Sequence, residues 1–275
     1  MDNKILIEQS QHWEKKFSSK PEMFGSEPSH SAKIALENFK KNNVKHIIEL
    51  GAGLGRDTIF FAKNSIKVTA LDYSPTAVEI IKNKSNSLGL SDLIEVQTHD
   101  LRQKLNYTDN SFDGCYSHML YCMAFTNSEL ENLNTDVCRV LNKNSLNIYT
   151  VRNHSDADYK KGIHRGEDLY EMNGYIVHYF SDEKIKKLLK GFKNLSIDHF
   201  DEGDFPRKLS LVINQKIKYG IFINWFFYWS KFDFSTWSSK CICNRTGSKE
   251  TIYFFGMLNL LNFRLSFNFF RYYLI

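Results

Sequence analysis

Ile47-Ile48-Glu49-Leu50-Gly51-Ala52-Gly53-Leu54-Gly55-Arg56-Asp57 decides how this chain folds, read together with Val68-Thr69-Ala70-Leu71-Asp72 downstream. An apolar run ends in a carboxylate, three glycines alternate through a turn, and a helix begins. The second apolar run ends in Asp72. This pattern places a nucleotide-type ligand at the carboxyl ends of two parallel strands. Glycines let the main chain pass close to the ligand, and an aspartate at the second strand tip accepts two ribose hydroxyls.

The dinucleotide form of such a turn is G-x-G-x-x-G, and its third glycine would fall on Arg56. A dinucleotide needs the helix N-terminus free for pyrophosphate. A bulky Arg56 at the close helix–strand contact argues against that, and Glu49 is a better neighbour for a cation than for pyrophosphate. The chain reads E-x-G-x-G-x-G, and here it resembles the class I, Rossmann-like methyltransferases that use S-adenosylmethionine (SAM). The resemblance covers about residues 10–213. Within that superfamily the chain is most similar to small-molecule enzymes of the tellurite-resistance and thiopurine type.

That resemblance implies an α/β fold: a seven-stranded, mostly parallel sheet with helices on both faces and the last strand antiparallel. It also implies a cofactor site. Glu49 lies near the methionine amino group, and Gly51, Ala52, Gly53 and Gly55 line the methionyl and ribose region. Asp72, followed by Tyr73, holds the ribose. Asp100 of Thr98-His99-Asp100-Leu101 meets the adenine amino group, with Leu101 against the ring. Ser111-Phe112-Asp113-Gly114-Cys115-Tyr116-Ser117-His118 supplies the fourth strand, whose end at Ser117 faces the reaction centre.

Apolar runs alternate with helical patterns, the signature of βαβ units. Strands are expected near Val44–Leu50, Lys67–Leu71, Leu93–Thr98, Phe112–Ser117 and Leu146–Val151, then near Leu195–Phe200 and Lys208–Ile213. Helices are expected over Gly55–Lys63, Pro75–Leu88, Asn127–Leu141 and Ser181–Lys190. Ser74 is a good N-cap, Pro75 suits the first helical position, and Gly89 marks the end. Residues 1–40 read as a helical segment broken at Lys20–Ser29; the resemblance implies a lid over the cofactor, the alternative being that Trp13 and Phe17 pack on the sheet edge. Residues 41–213 read as the SAM-binding domain.

The formal net charge of +5 is unevenly spread. Residues 214–275 hold eight Lys/Arg against Asp233 and Glu250, whereas residues 1–213 hold 28 basic and 29 acidic residues. The catalytic-looking part has no basic excess, so a small-molecule acceptor is favoured over nucleic acid. Five cysteines in no even framework, without a recognisable leader, suggest a reducing cytoplasm. Cys241-Ile242-Cys243 has the wrong spacing for a zinc site, and methyl transfer from a sulfonium requires no metal.

From about Asn214 the composition changes. This tail carries 19 of the 40 aromatic residues, with Trp225, Trp229 and Trp237 among them. No period holds for long, and no run spans a bilayer. A reading-frame shift near Asn214 accounts for the change better than a membrane-surface anchor does.

The acceptor side is expected in the long polar connection from Arg152 to Tyr179, because loops at the carboxyl end of a parallel sheet carry function. His118 after the fourth strand is a candidate general base, with His154 and His164 as alternatives. Arg152 and Arg165 are candidates for an anionic acceptor, and Tyr121 and Tyr159 for an aromatic wall around the sulfonium. Two other classes share the scaffold: a nicotinamide-dependent oxidoreductase, against which Arg56 counts, and a SAM-binding protein without turnover.

Overall fold

The computed structural model describes residues 2–203 and 207–217. Five parallel strands form the centre in the order β3-β2-β1-β4-β5. They are β1 (His46–Leu50), β2 (Lys67–Asp72), β3 (Ile94–Thr98), β4 (Phe112–Ser117) and β5 (Leu141–Asn153). The sheet continues through β10 (Arg207–Lys216), antiparallel to β5, and then β9 (Phe192–Glu202), antiparallel to β10. This is the expected Rossmann-like architecture of seven strands with an antiparallel last strand. Strand β10 runs on to Lys216, beyond the domain end expected at Ile213, and the rest of the aromatic tail lies outside the described residues.

Helices α2 (His30–Lys41), α3 (Arg56–Lys63) and α4 (Pro75–Ser87) cover one face, where Phe39, Phe61 and Ile81 are fully buried on Ile47, Val68 and Ile148. Helices α5 (Asn127–Val140) and α6 (Asp182–Lys187) cover the other, with Leu130, Val137 and Ile185 against Ile48, Tyr149 and Val212. Each such side chain contributes about 1.5–3 kcal/mol of burial. Ser74 and Pro75 start α4 as expected, and Gly89 follows it in the left-handed region. Helix α5 starts at Asn127 as expected, and Thr126 caps it by closing a capping box with Glu129.

The connection after β5 is not the irregular loop expected from its polar composition. It folds into β6 (Ile163–His164), β7 (Leu169–Met172) and β8 (Tyr175–Phe180), an antiparallel ribbon. Strand β8 pairs in parallel with the tip of β5 at Arg152 and Asn153. On that edge of β5 the earlier neighbour is β4, so the ribbon stands beyond the carboxyl end of β4. Helix α1 (Asn3–Ser19) is tied to it: Gln9 donates to Gly174 O (2.7 Å) and accepts from Ile176 N (3.0 Å).

Candidate functional site

The glycine turn connects β1 to α3 at the carboxyl end of the sheet. Gly51, Gly53 and Gly55 have φ of 71°, 55° and 79°, the left-handed region that glycine enters without strain. Space also excludes a side chain at two of them: a Cβ on Gly51 would lie 2.8 Å from Leu120 Cδ1, and one on Gly55 would lie 2.6 Å from Ile81 Cγ1. Gly51 N and Ala52 N both donate to Leu71 O, at 2.8 and 3.1 Å, which binds the turn to the tip of β2.

Asp72 closes β2 and is buried. Its Oδ2 accepts from Gly53 N (2.8 Å) and its Oδ1 from Ser74 N (2.9 Å). Each carboxylate oxygen keeps further lone-pair capacity. Glu49 is also buried, and among the described residues its one hydrogen-bond donor is the Thr58 hydroxyl, at 2.6 Å. Burial pushes Glu49 up to about 8 and Asp72 up to about 6, and neighbouring carboxylates add to both shifts. Among the described residues neither acid has a salt-bridge partner. Tyr73, next to Asp72, has its phenol raised by burial.

The structure brings Asp100 to the end of β3, where its Oδ1 accepts from Arg102 N and Arg102 Nη1, both at 3.0 Å. Leu101 is buried in the cluster facing α5. The hydroxyl of Ser117 donates to Leu50 O (3.0 Å), so that side chain joins β4 to β1.

The N-terminal segment reaches this turn. A Cβ at Gly53 would lie 3.6 Å from Phe24 Cε2 and 4.0 Å from Phe17 Cζ, so both rings cover the turn. Arg56, in the position a dinucleotide turn reserves for glycine, donates to Phe24 O (3.4 Å). Glu14 of α1 accepts from the Ser74 and Thr76 hydroxyls at the start of α4.

The acceptor-side candidates fare differently. His118 sits just past β4, with Nδ1 3.0 Å from both Ser31 Oγ and Thr150 Oγ1 and Nε2 3.2 Å from Glu202 Oε2. Arg152 is not available to an anionic acceptor. Its Nε donates to Asp156 Oδ2 (2.9 Å) and its Nη2 to Asp156 Oδ1 and Asp158 Oδ2. Tyr179 stacks on the same guanidinium. These carboxylates stand four and six positions along the turn that leaves β5, close enough to neutralise it locally. Arg165 is likewise paired, with Glu171.

His154 stacks on Tyr159 with ring centroids 4.1 Å apart, and burial lowers its pKa. It lines an open cavity of about 420 Å³ with Asn153, Phe180, His199 and Asp201. His164 is exposed on β6, with Nε2 3.0 Å from Glu167 O. Tyr121 is a core residue, stacked on Tyr149 at 4.3 Å. The expected cofactor residues therefore gather at the carboxyl edge of the sheet, whereas the cavity beside β5 takes in His154 but neither His118, His164 nor Arg152.

Sequence reasoning missed Thr58, Glu14 and Glu202. It also missed His178, which is buried and lies 2.7 Å from Phe125 O through Nδ1. Lys184 joins His178 to Asp168.

Two buried acids without a salt-bridge partner among the described residues thus stand beside a left-handed glycine turn at strand tips of an α/β fold. Residues 47–144 match the family described as a methyltransferase domain. No curated protein sequence matches the chain significantly. Among solved structures it is similar to the 1,6-didemethyltoxoflavin-N1-methyltransferase of Burkholderia thailandensis, seen with 1,6-didemethyltoxoflavin and S-adenosylhomocysteine. That pair has a TM-score of 0.62 and 12% identity over 79% of this chain and 91% of the other. It is also similar to an S-adenosylmethionine-dependent methyltransferase of Clostridium acetobutylicum, with a TM-score of 0.58 and 15% identity over 75% of this chain and 100% of that one. A third, from Methanosarcina mazei, gives 0.55 and 18% over 66% and 97%. Identities this low speak for the fold alone. Residues 47–144 are thus similar to a methyltransferase domain, and the likeness to these solved structures is one of fold.

Proposed function

We propose that this enzyme transfers the methyl group of SAM to a small-molecule acceptor. Asp72 carries the reading: a buried carboxylate at the tip of β2, held by two backbone amides and by no cation. In this reading it takes the ribose hydroxyls, Glu49 takes the methionine ammonium, the turn from Gly51 to Gly55 lines the methionyl chain, and Asp100 meets the adenine. The acids raised by burial regain their charge when the cationic ligand supplies the missing partner.

The chemistry is an in-line displacement. The protein's work is to align nucleophile and methyl carbon and to exclude water. Residues 1–40 act as the lid, since Phe17 and Phe24 cover Gly53 and Glu14 latches the segment at Ser74 and Thr76. The β6–β8 ribbon, standing beyond β4, forms the acceptor wall. An acceptor of metabolite size suits a domain whose basic and acidic residues balance.

The test is calorimetric titration with S-adenosylhomocysteine. Asp72→Ala is expected to weaken binding about 100-fold, or about 2.7 kcal/mol, while the unfolding transition stays cooperative. NADH is expected to give no thermal stabilisation. An unchanged dissociation constant for Asp72→Ala refutes the ribose assignment.

A further inference from the structure

His118, the group that the sequence nominates as acceptor-side base, has both ring nitrogens against protein groups. Thr150 Oγ1 accepts the amide hydrogen of Met119 (2.9 Å), which turns its own proton toward His118 Nδ1. Ser31 Oγ lies equally close to Nδ1. Nδ1 thus lies within hydrogen-bond distance of both hydroxyls, and Nε2 lies 3.2 Å from Glu202 Oε2, a buried oxygen without a hydrogen-bond partner among the described residues. Met119, the next residue, has φ of 59°, a strained value for a side chain of this kind and one that recurs at functional loops.

Glu202 ends β9, and its side chain is about one-fifth exposed. Its Oε1 accepts no hydrogen bond from the described residues. Burial acts to raise its pKa, but His118, Arg56 and Arg207 outweigh burial and hold it below the usual carboxylate range. His118 follows Ser117, which donates to Leu50 O, and precedes Leu120, which packs on Gly51, so the segment that carries it borders the glycine turn.

We propose that Glu202, oriented by His118, faces the methyl position and takes the proton of an N–H or O–H nucleophile on the acceptor. The inference rests on the methyltransferase reading above. The lone pair of nitrogen or oxygen attacks the methyl carbon and forms the new bond. The carbon–sulfur bond breaks, and its electron pair stays on sulfur as the neutral thioether. The proton passes from the nucleophile to Glu202 Oε1. Glu202 is thus a catalytic residue and His118 a positioning residue. A thiolate acceptor has no proton to lose at this step and needs no such carboxylate.

The test needs no acceptor. Sinefungin resembles S-adenosylhomocysteine but carries an ammonium at the methyl position. Affinities of the full chain for both are measured by calorimetry. Glu202→Gln is expected to weaken sinefungin tenfold or more and to leave S-adenosylhomocysteine within twofold, because a charge partner is lost at one position only. Glu202→Asp is expected to restore part of that selectivity, and His118→Asn to lose a smaller part of it. Equal losses for both ligands, or no change for either, overturn the proposal. A wild-type chain that binds neither ligand refutes the methyltransferase reading itself, which is a different failure.

Discussion

Two regions at the same edge of the sheet bury carboxylates in opposite ways. At the glycine turn, Glu49 and Asp72 are buried without a cation, and their pKa values rise to about 8 and about 6. At the start of the ribbon, Asp156 is also buried, and burial again acts upward. There Arg152, with the Asp158 and Lys208 amides, outweighs burial and lowers the value. Asp168 is lowered in the same way by Lys184 and Tyr159. A carboxylate whose charge is met by the protein is a staple, and one left unmet awaits a ligand.

The comparison breaks most visibly at Arg152. Arg152→Ala leaves Asp156, whose side chain is 1% exposed, without its cation. Breaking a buried pair in this way costs about 3–5 kcal/mol. Urea denaturation should show that loss, with affinity for S-adenosylhomocysteine unchanged in the folded fraction. A stable variant that no longer binds an acceptor would return Arg152 to the substrate.

The unmet side is sharpened by pH. In the folded chain Glu49 holds its proton to about pH 8, whereas the unfolded chain releases it near 4.5. The folded state binds more protons across that window, so the contribution of Glu49 to stability falls as pH rises through it. An ammonium against Glu49 favours the ionised form and expels the proton. Affinity for S-adenosylhomocysteine is therefore expected to rise about tenfold from about pH 6.5 to about pH 8. Calorimetry in buffers of different ionisation enthalpy should record the released proton. Glu49→Gln is expected to flatten the dependence.

The same contrast explains what was legible in the sequence. The cofactor edge rests on local signals: strand tips ending in Glu49 and Asp72, three spaced glycines, and Ser74-Pro75 at a helix start. Each names its conformation within a few residues. The acceptor side rests on pairings between distant segments. Glu202 meets His118 because β9 returns beside β10, which itself pairs with β5. The hydroxyls of Ser31 and Thr150 that occupy His118 come from α2 and β5. One local signal was present and outweighed by polar composition. Asn173-Gly174, with φ of 51° and 80°, joins β7 to β8 between alternating apolar residues, the strongest short hairpin signal. Arg152 misleads for a related reason: an arginine at a strand end looks ready for a substrate until its own turn supplies Asp156 and Asp158.

Histidines at this edge obey the same division, and His164 marks its lower limit. His178 is fully buried in the ribbon, and burial with Lys184 drives its pKa down to about 4. His164 lies on the outermost strand of that ribbon, is exposed, and sets its ring against Glu167 O and the Tyr170 ring. An exposed ring with one carbonyl partner contributes little. His164→Ala is expected to change stability by no more than about 0.5 kcal/mol and to leave S-adenosylhomocysteine affinity unaltered, as thermal unfolding and calorimetry would show. A larger loss of stability would mean that β6 is a structural part of the acceptor wall and that the ribbon folds as one unit from its outer edge inward.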